Sequence, residues 1–101
     1  MNVNKDNHKT EVIFRREADG QILAVFPYLI GDNKGNVMAY AHTGQHHQVD
    51  YNYCLNNCKP AKVNQYSDLF EELESMGYNL QVIKRRSYNK YLKAYYEIRN
   101  N

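Results

Sequence analysis

Apolar positions follow two spacings along this chain, and the change between them separates a strand-rich first half from a helix-rich second half. Val12-Ile13-Phe14 leads into Arg15-Arg16-Glu17-Ala18-Asp19-Gly20-Gln21, whose Asp-Gly pair is a hairpin signal, and then into the β-rich run Ile22 to Ile30. Two antiparallel strands follow. Pro27 has no amide hydrogen to donate, so the second strand must either face an open edge there or bulge. The Gly31-Asp32-Asn33-Lys34-Gly35-Asn36 segment is dense in turn formers, and Val37 to His42 reads as a third strand, completing a β-meander.

From Thr43 to Lys62 the pattern breaks up. Gly44, His46-His47, Asn56-Asn57 and Pro60 favour a loop, or one short helix around Val49 to Leu55. Helical spacing then becomes clear: Tyr66, Leu69, Phe70, Leu73 and Met76 share a face, Asn64 can cap the N-terminus, and Gly77 can take the left-handed position after the last turn. Tyr78 would then fold back on Leu73. Leu80 to Arg85 alternates as a fourth strand, and Tyr88, Tyr91, Leu92, Tyr95, Tyr96 and Ile98 mark a final helix, with a closing strand as the alternative because tyrosines favour sheets as readily. The predicted class is α+β: a three-stranded antiparallel meander, a helix, a fourth strand and a C-terminal helix, in two layers with the helices on one face of the sheet.

Length and composition bound this picture. The 101 residues fit one domain, read here as residues 11–101 after a disordered or loosely attached tail over 1–10. Leu, Ile, Val and Phe supply only 22 of 101 positions while tyrosine supplies 10, so tyrosine rings must replace aliphatic volume in a thin core. A thin core in a short chain makes self-association a route to further burial, and a homodimer is the expected assembly. The net charge of +2 is too small to hold the chain open. Met1 to Lys9 is polar, which predicts no secretory signal, and no stretch has the length of a membrane span. Two cysteines without an export signal point to reduced thiols in a cytoplasm.

Candidate chemistry gathers between His42 and Cys58. His42, His46, Cys54 and Cys58 have the ligand types of a Cys2His2 zinc site, with His47 outside it, although the C-x-x-x-C step lacks the tight knuckle of structural zinc sites. Such histidines more often lie on a loop surface and such cysteines in a core, so neither metal nor cofactor is expected. A Cys-His nucleophile is the alternative chemistry, with Cys54 or Cys58 activated by His46 or His47 and oriented by Asp50, yet no motif marks an oxyanion site and no catalytic residue is assigned. Glu71, Glu72 and Glu74 read as the solvated face of a helix.

Charge is unevenly placed. Asp68, Glu71, Glu72 and Glu74 carry −4, whereas Lys84, Arg85, Arg86, Lys90, Lys93 and Arg99 against Glu97 carry +5. Lys84, Arg85, Arg86, Lys90 and Lys93 interleaved with Tyr88 and Tyr91 have the composition of a nucleic-acid contact, cations for phosphates and rings for unpaired bases. The plainer reading is a helix with tyrosines inward and lysines outward, and the opposed charges could equally join two copies.

The short hairpin, the Gly44-Gln45-His46-His47 segment and the acidic helix before a basic end resemble small uncharacterised bacterial proteins carried by phages and mobile elements. That resemblance spans much of the chain and brings no catalytic motif. The sequence therefore predicts a non-enzymatic binding or regulatory module that contacts a protein partner or itself. Nucleic-acid binding through the C-terminal segment is the alternative, and a metal protein or small Cys/His enzyme built on residues 42–58 the third.

Overall fold

The computed structural model describes residues 9–42 and 45–99. Most of the predicted tail, residues 1–8, lies outside them, as do Thr43 and Gly44 in the histidine segment. Thr10 already opens the first strand, and its N–H donates to the Asn79 carbonyl at 2.7 Å.

β1 (Thr10–Arg16) and β2 (Ile22–Ile30) form the expected hairpin, in register from Ile13 opposite Val25 to Arg16 opposite Ile22. Glu17 and Gln21 close it, and the Asp19 carboxylate accepts the Gln21 N–H at 3.0 Å. β3 (Val37–Ala41) continues the meander. The β2–β3 register shifts between Phe26 and Ile30, so the buried Pro27 sits at an irregularity inside the sheet. Of the two options for a strand proline, the bulge is realised.

The meander has one more strand than expected. β4 (Gln45–Val49) pairs antiparallel with β3 along its whole length, within the stretch that reads as loop. α1 (Tyr51–Asn57) follows, capped by Asp50, whose carboxylate accepts the Tyr53 N–H at 3.1 Å. After β5 (Lys59–Pro60) comes α2 (Val63–Ser75). Its N-cap is Lys62 rather than Asn64, because the Gln65 side chain reaches back to accept the Lys62 N–H at 2.8 Å. At the other end Gly77 takes φ +105°, and Tyr78 N–H donates to the Leu73 carbonyl at 3.2 Å, so the expected left-handed stop is present. β6 (Leu80–Val82) is shorter than predicted, and α3 (Tyr88–Arg99) closes the chain as a helix.

The α+β class and the meander hold, and the helices divide between the two faces. Val12, Phe14, Ala24, Phe26 and Tyr40 point toward α2, where Leu69 and Leu73 are buried. Ile13, Leu23, Val25, Val37, Ala39 and Ala41 point the other way, toward Tyr51 and Cys54 of α1 and Tyr91 of α3. Two of the three helices thus share a face and α2 lies opposite. The physical reason is in β1 and β2, whose successive residues are apolar without alternation and so bury both sides. Aromatic rings extend the thin aliphatic core, with Phe14 stacked on Tyr66 at 4.4 Å and Phe26 on Tyr78 at 5.3 Å.

The two edges of the sheet differ. β4 ends the order β4-β3-β2-β1, and among the described residues no strand pairs with its outer side. The outer side of β1 is instead divided: β6 runs parallel to Thr10, Glu11 and Val12, while β5 runs antiparallel to Arg15 and Arg16.

Because Leu73 is fully buried between α2 and the sheet, Leu73→Ala should lower the unfolding free energy by about 2 to 5 kcal/mol. Urea denaturation measures the loss. The exposed Glu71→Ala on the same helix should stay within roughly 0.5 kcal/mol of the parent, and equal losses would refute this assignment of the buried face.

Candidate functional site

A polar cluster lies where β3 and β4 meet α2. Tyr40 and His46, opposite one another in the register, both face the helix, with ring centroids 4.8 Å apart. His42 follows two positions after Tyr40. Glu72 lies three residues after the buried Leu69, on the same side of α2, so helical geometry brings its carboxylate over the end of β3. One carboxylate oxygen accepts the Tyr40 hydroxyl and the other accepts His42 Nδ1–H at 2.5 Å. Tyr78 closes the group, its hydroxyl 3.2 Å from His46 Nε2. The hydrogen bonds from Tyr40 and His42 hold the Glu72 carboxyl below the ordinary carboxylate value, outweighing its desolvation. The same bond pushes the Tyr40 hydroxyl upward, because ionising it would set two negative charges side by side. A cleft of about 440 Å³ opens beside the cluster, lined by Gln21, Ile22, His42, Gln65, Asp68 and Glu72 among others.

The four candidate metal ligands are not brought to one point. His46 faces α2 beside Tyr40 and Tyr78, and His42 pairs with Glu72 while its ring is 85% exposed. Cys54 is buried in the core on the opposite face of the sheet, with Cys58 at the end of the same helix. Among the described residues no three His, Cys, Asp or Glu side chains are grouped to hold a metal ion. Burial pushes the Cys54 thiol up to about 11 and raises Cys58 as well, so both are thiols rather than thiolates at neutral pH. Asp50, the carboxylate that would orient a catalytic histidine, is occupied as the cap of α1. The chain uses this segment structurally: the buried Arg15 guanidinium donates to the carbonyls of Leu55 at 3.1 Å and Cys58 at 2.5 Å, where the helix leaves its last acceptors unsatisfied.

The basic C-terminal segment separates into engaged and exposed members. The Arg86 guanidinium lies between the Tyr51 and Tyr91 rings, 3.9 and 3.8 Å from their centroids, and the Arg86 backbone N–H donates to the Tyr51 hydroxyl at 2.9 Å. Lys90 pairs with Glu11 over the Tyr28 ring, and the Tyr91 hydroxyl donates to the Gly35 carbonyl at 2.8 Å. Those three belong to the packing of α3 on the sheet. Lys84, Arg85 and Lys93 are exposed, and Tyr88 is 62% exposed.

Comparison with protein-family models, with curated proteins and with solved structures finds no match. No helix among the described residues is long and apolar enough to cross a membrane.

Glu72 is the member that the sequence reading assigned to solvent. A signal existed, since its place beside Leu69 and Leu73 puts it at the margin of the apolar stripe. Its lowered pKa has a consequence for stability. A carboxyl depressed in the folded state contributes stability that is present above the ordinary value of 4.5 and is lost as pH falls through the folded value. Wild type should therefore exceed Glu72→Gln in stability at neutral pH, with the gap shrinking as pH drops below 4.5. Urea unfolding of both proteins across that range checks it, and a gap independent of pH would show that the carboxylate is not held by Tyr40 and His42.

Proposed function

We propose that this protein is a non-enzymatic binding module that acts through protein–protein contact, with a second copy of the chain as the partner its open sheet edge fits. The observation that carries this reading is the asymmetry of the two edges. Folded proteins blunt exposed strands with lysine, proline, bulges or short length. β5 follows that rule, being two residues long and made of Lys59 and Pro60. β4 does not follow it: Gln45-His46-His47-Gln48-Val49 contains no lysine, proline or carboxylate and, among the described residues, is paired along five consecutive residues on its inner side alone. Antiparallel addition of a second β4 about a two-fold axis would satisfy its outer N–H and C=O groups with the same groups of the partner. Side chains on both sides of the strand would then set register. The thin aliphatic core supports the same conclusion, since a continuous sheet would bury further surface in a chain with 22 Leu, Ile, Val and Phe residues. A regulatory adaptor of a mobile element, working in a bacterial cytoplasm, is the setting that this reading and the sequence resemblance suggest.

Edge pairing and charge pairing make different demands. Contact between the acidic α2 and the basic end would weaken as salt shortens the Debye length, whereas backbone pairing through uncharged β4 would persist. Sedimentation at micromolar concentration should give a dimer in both low and high salt. His47→Glu, which sets like charges near the two-fold axis, should give a folded monomer. A monomeric parent, or a dimer indifferent to His47→Glu, would refute the edge as the interface.

A second reading retains single-stranded nucleic acid as the partner, on the exposure of Lys84, Arg85, Lys93 and Tyr88 along one segment. Arg86, Lys90 and Tyr91 drop out of that surface because each is committed to an internal contact. Under this reading, Lys84→Ala with Arg85→Ala should reduce the salt dependence of oligonucleotide binding by about one or two units. A folded sample that binds neither DNA nor RNA at low salt would end it.

A further inference from the structure

The divided edge of β1 leaves a gap with a composition of its own. β6 leaves β1 after Val12, where Ile83 N–H donates to the Val12 carbonyl at 2.9 Å, and β5 arrives only at Arg15. Ala61 N–H donates to the Phe14 carbonyl at 3.1 Å, so both sides of the gap are tied to β1, whose Ile13–Phe14 segment runs along its base. The resulting cleft holds about 420 Å³, within the size range of small-molecule sites. Tyr66, Val82 and Ile83 line its walls, and Val63 and Val82 at its rim are 67% and 39% exposed.

Among the described residues, every charged side chain on this cleft is cationic. Arg15, Lys62 and Lys84 line it, and no carboxylate does. Lys62 and Lys84 are exposed, so their ammonium groups can move over the opening. Arg15 differs. It is only 9% exposed, its Nη2 is committed to the carbonyls of Leu55 and Cys58, and its Nε is buried with no hydrogen-bond partner. Its guanidinium is thus a fixed positive charge beside the cleft, and Lys62 and Lys84 are the cations free to reach an occupant.

From the apolar lining and the three cations around it, we infer that this cleft binds a small amphiphilic carboxylate, with its apolar body against Val63, Tyr66, Val82 and Ile83 and its carboxylate toward Lys62 and Lys84. The site lies on the sheet edge opposite β4, so it operates in a monomer and in a dimer alike. Its success or failure is independent of the interface proposed above.

Titration with octanoate, followed by methyl chemical shifts and calorimetry, tests the inference on the full chain. Saturable one-to-one binding is expected, with shifts concentrated at Val63, Val82 and Ile83. Octanol, which keeps the apolar body without the charge, should bind at least roughly tenfold more weakly. Arg15 also supports α1, so the charge test uses the exposed positions: Lys62→Gln with Lys84→Gln should weaken octanoate and leave octanol unchanged. Val82→Glu, which sets a carboxylate on the rim, should abolish octanoate binding in a protein that still folds. Absence of saturable binding, equal affinity for octanol, or shifts centred elsewhere would each overturn the site.

Discussion

β1 is buried on both faces and hydrogen-bonded on both edges, and the positions of the other elements follow from that double constraint. Its even residues Val12 and Phe14 need a partner on one side of the sheet and its odd residues Ile13 and Arg15 need one on the other. A single helical layer cannot serve both. α2 takes the first side with Leu69 and Leu73, and α1 and α3 take the second. Arg15 gives the second side its particular form: a cation so enclosed needs acceptors, and the carbonyls at the end of α1 supply them. A charge in the core thereby fixes where a seven-residue helix, too short to hold itself in water, must end.

Much of this order is legible in the sequence where local chemistry and tertiary packing agree. The Asp19-Gly20 turn, the stripe from Tyr66 to Leu73 with its Gly77 stop, and the periodicity of α3 each carry a signal of the right period. β4 carries none. Of its five residues only Val49 is aliphatic, and its strand conformation comes from pairing with β3 rather than from an apolar face of its own. Lys62 displaces Asn64 as the cap of α2 for a similar reason, because a glutamine three residues on can supply the acceptor. Met76, on the predicted stripe, ends up exposed at the C-cap of α2.

The candidate sites show the same division. Counting charge by segment places Glu72 with its acidic neighbours and Arg86 with its basic ones, yet each turns inward to a partner more than 30 residues away in sequence. Tyrosine is the residue that makes such pairings possible. Tyr40 reaches Glu72, Tyr51 and Tyr91 enclose Arg86, and Tyr91 and Tyr95 donate to the carbonyls of Gly35 and Asn33 in the β2–β3 loop. Gly35 is required there, since its φ is +90° and a side chain would meet the Tyr91 hydroxyl. A chain short of aliphatic residues thus uses rings for volume and their hydroxyls as ties between elements.

The two edges of the sheet then face different physical problems. β4 presents regular backbone spacing and little side-chain chemistry, which suits recognition by another strand, where main-chain groups supply affinity and register supplies specificity. The edge of β1 presents the reverse. Its ladder is interrupted between β6 and β5, so a strand cannot add there, and what remains is an apolar cleft beside cations. Closing the same gap with a longer β6 would pair the backbone but fill the cleft. The short strands that protect this edge from aggregation are therefore also what keeps its cleft open.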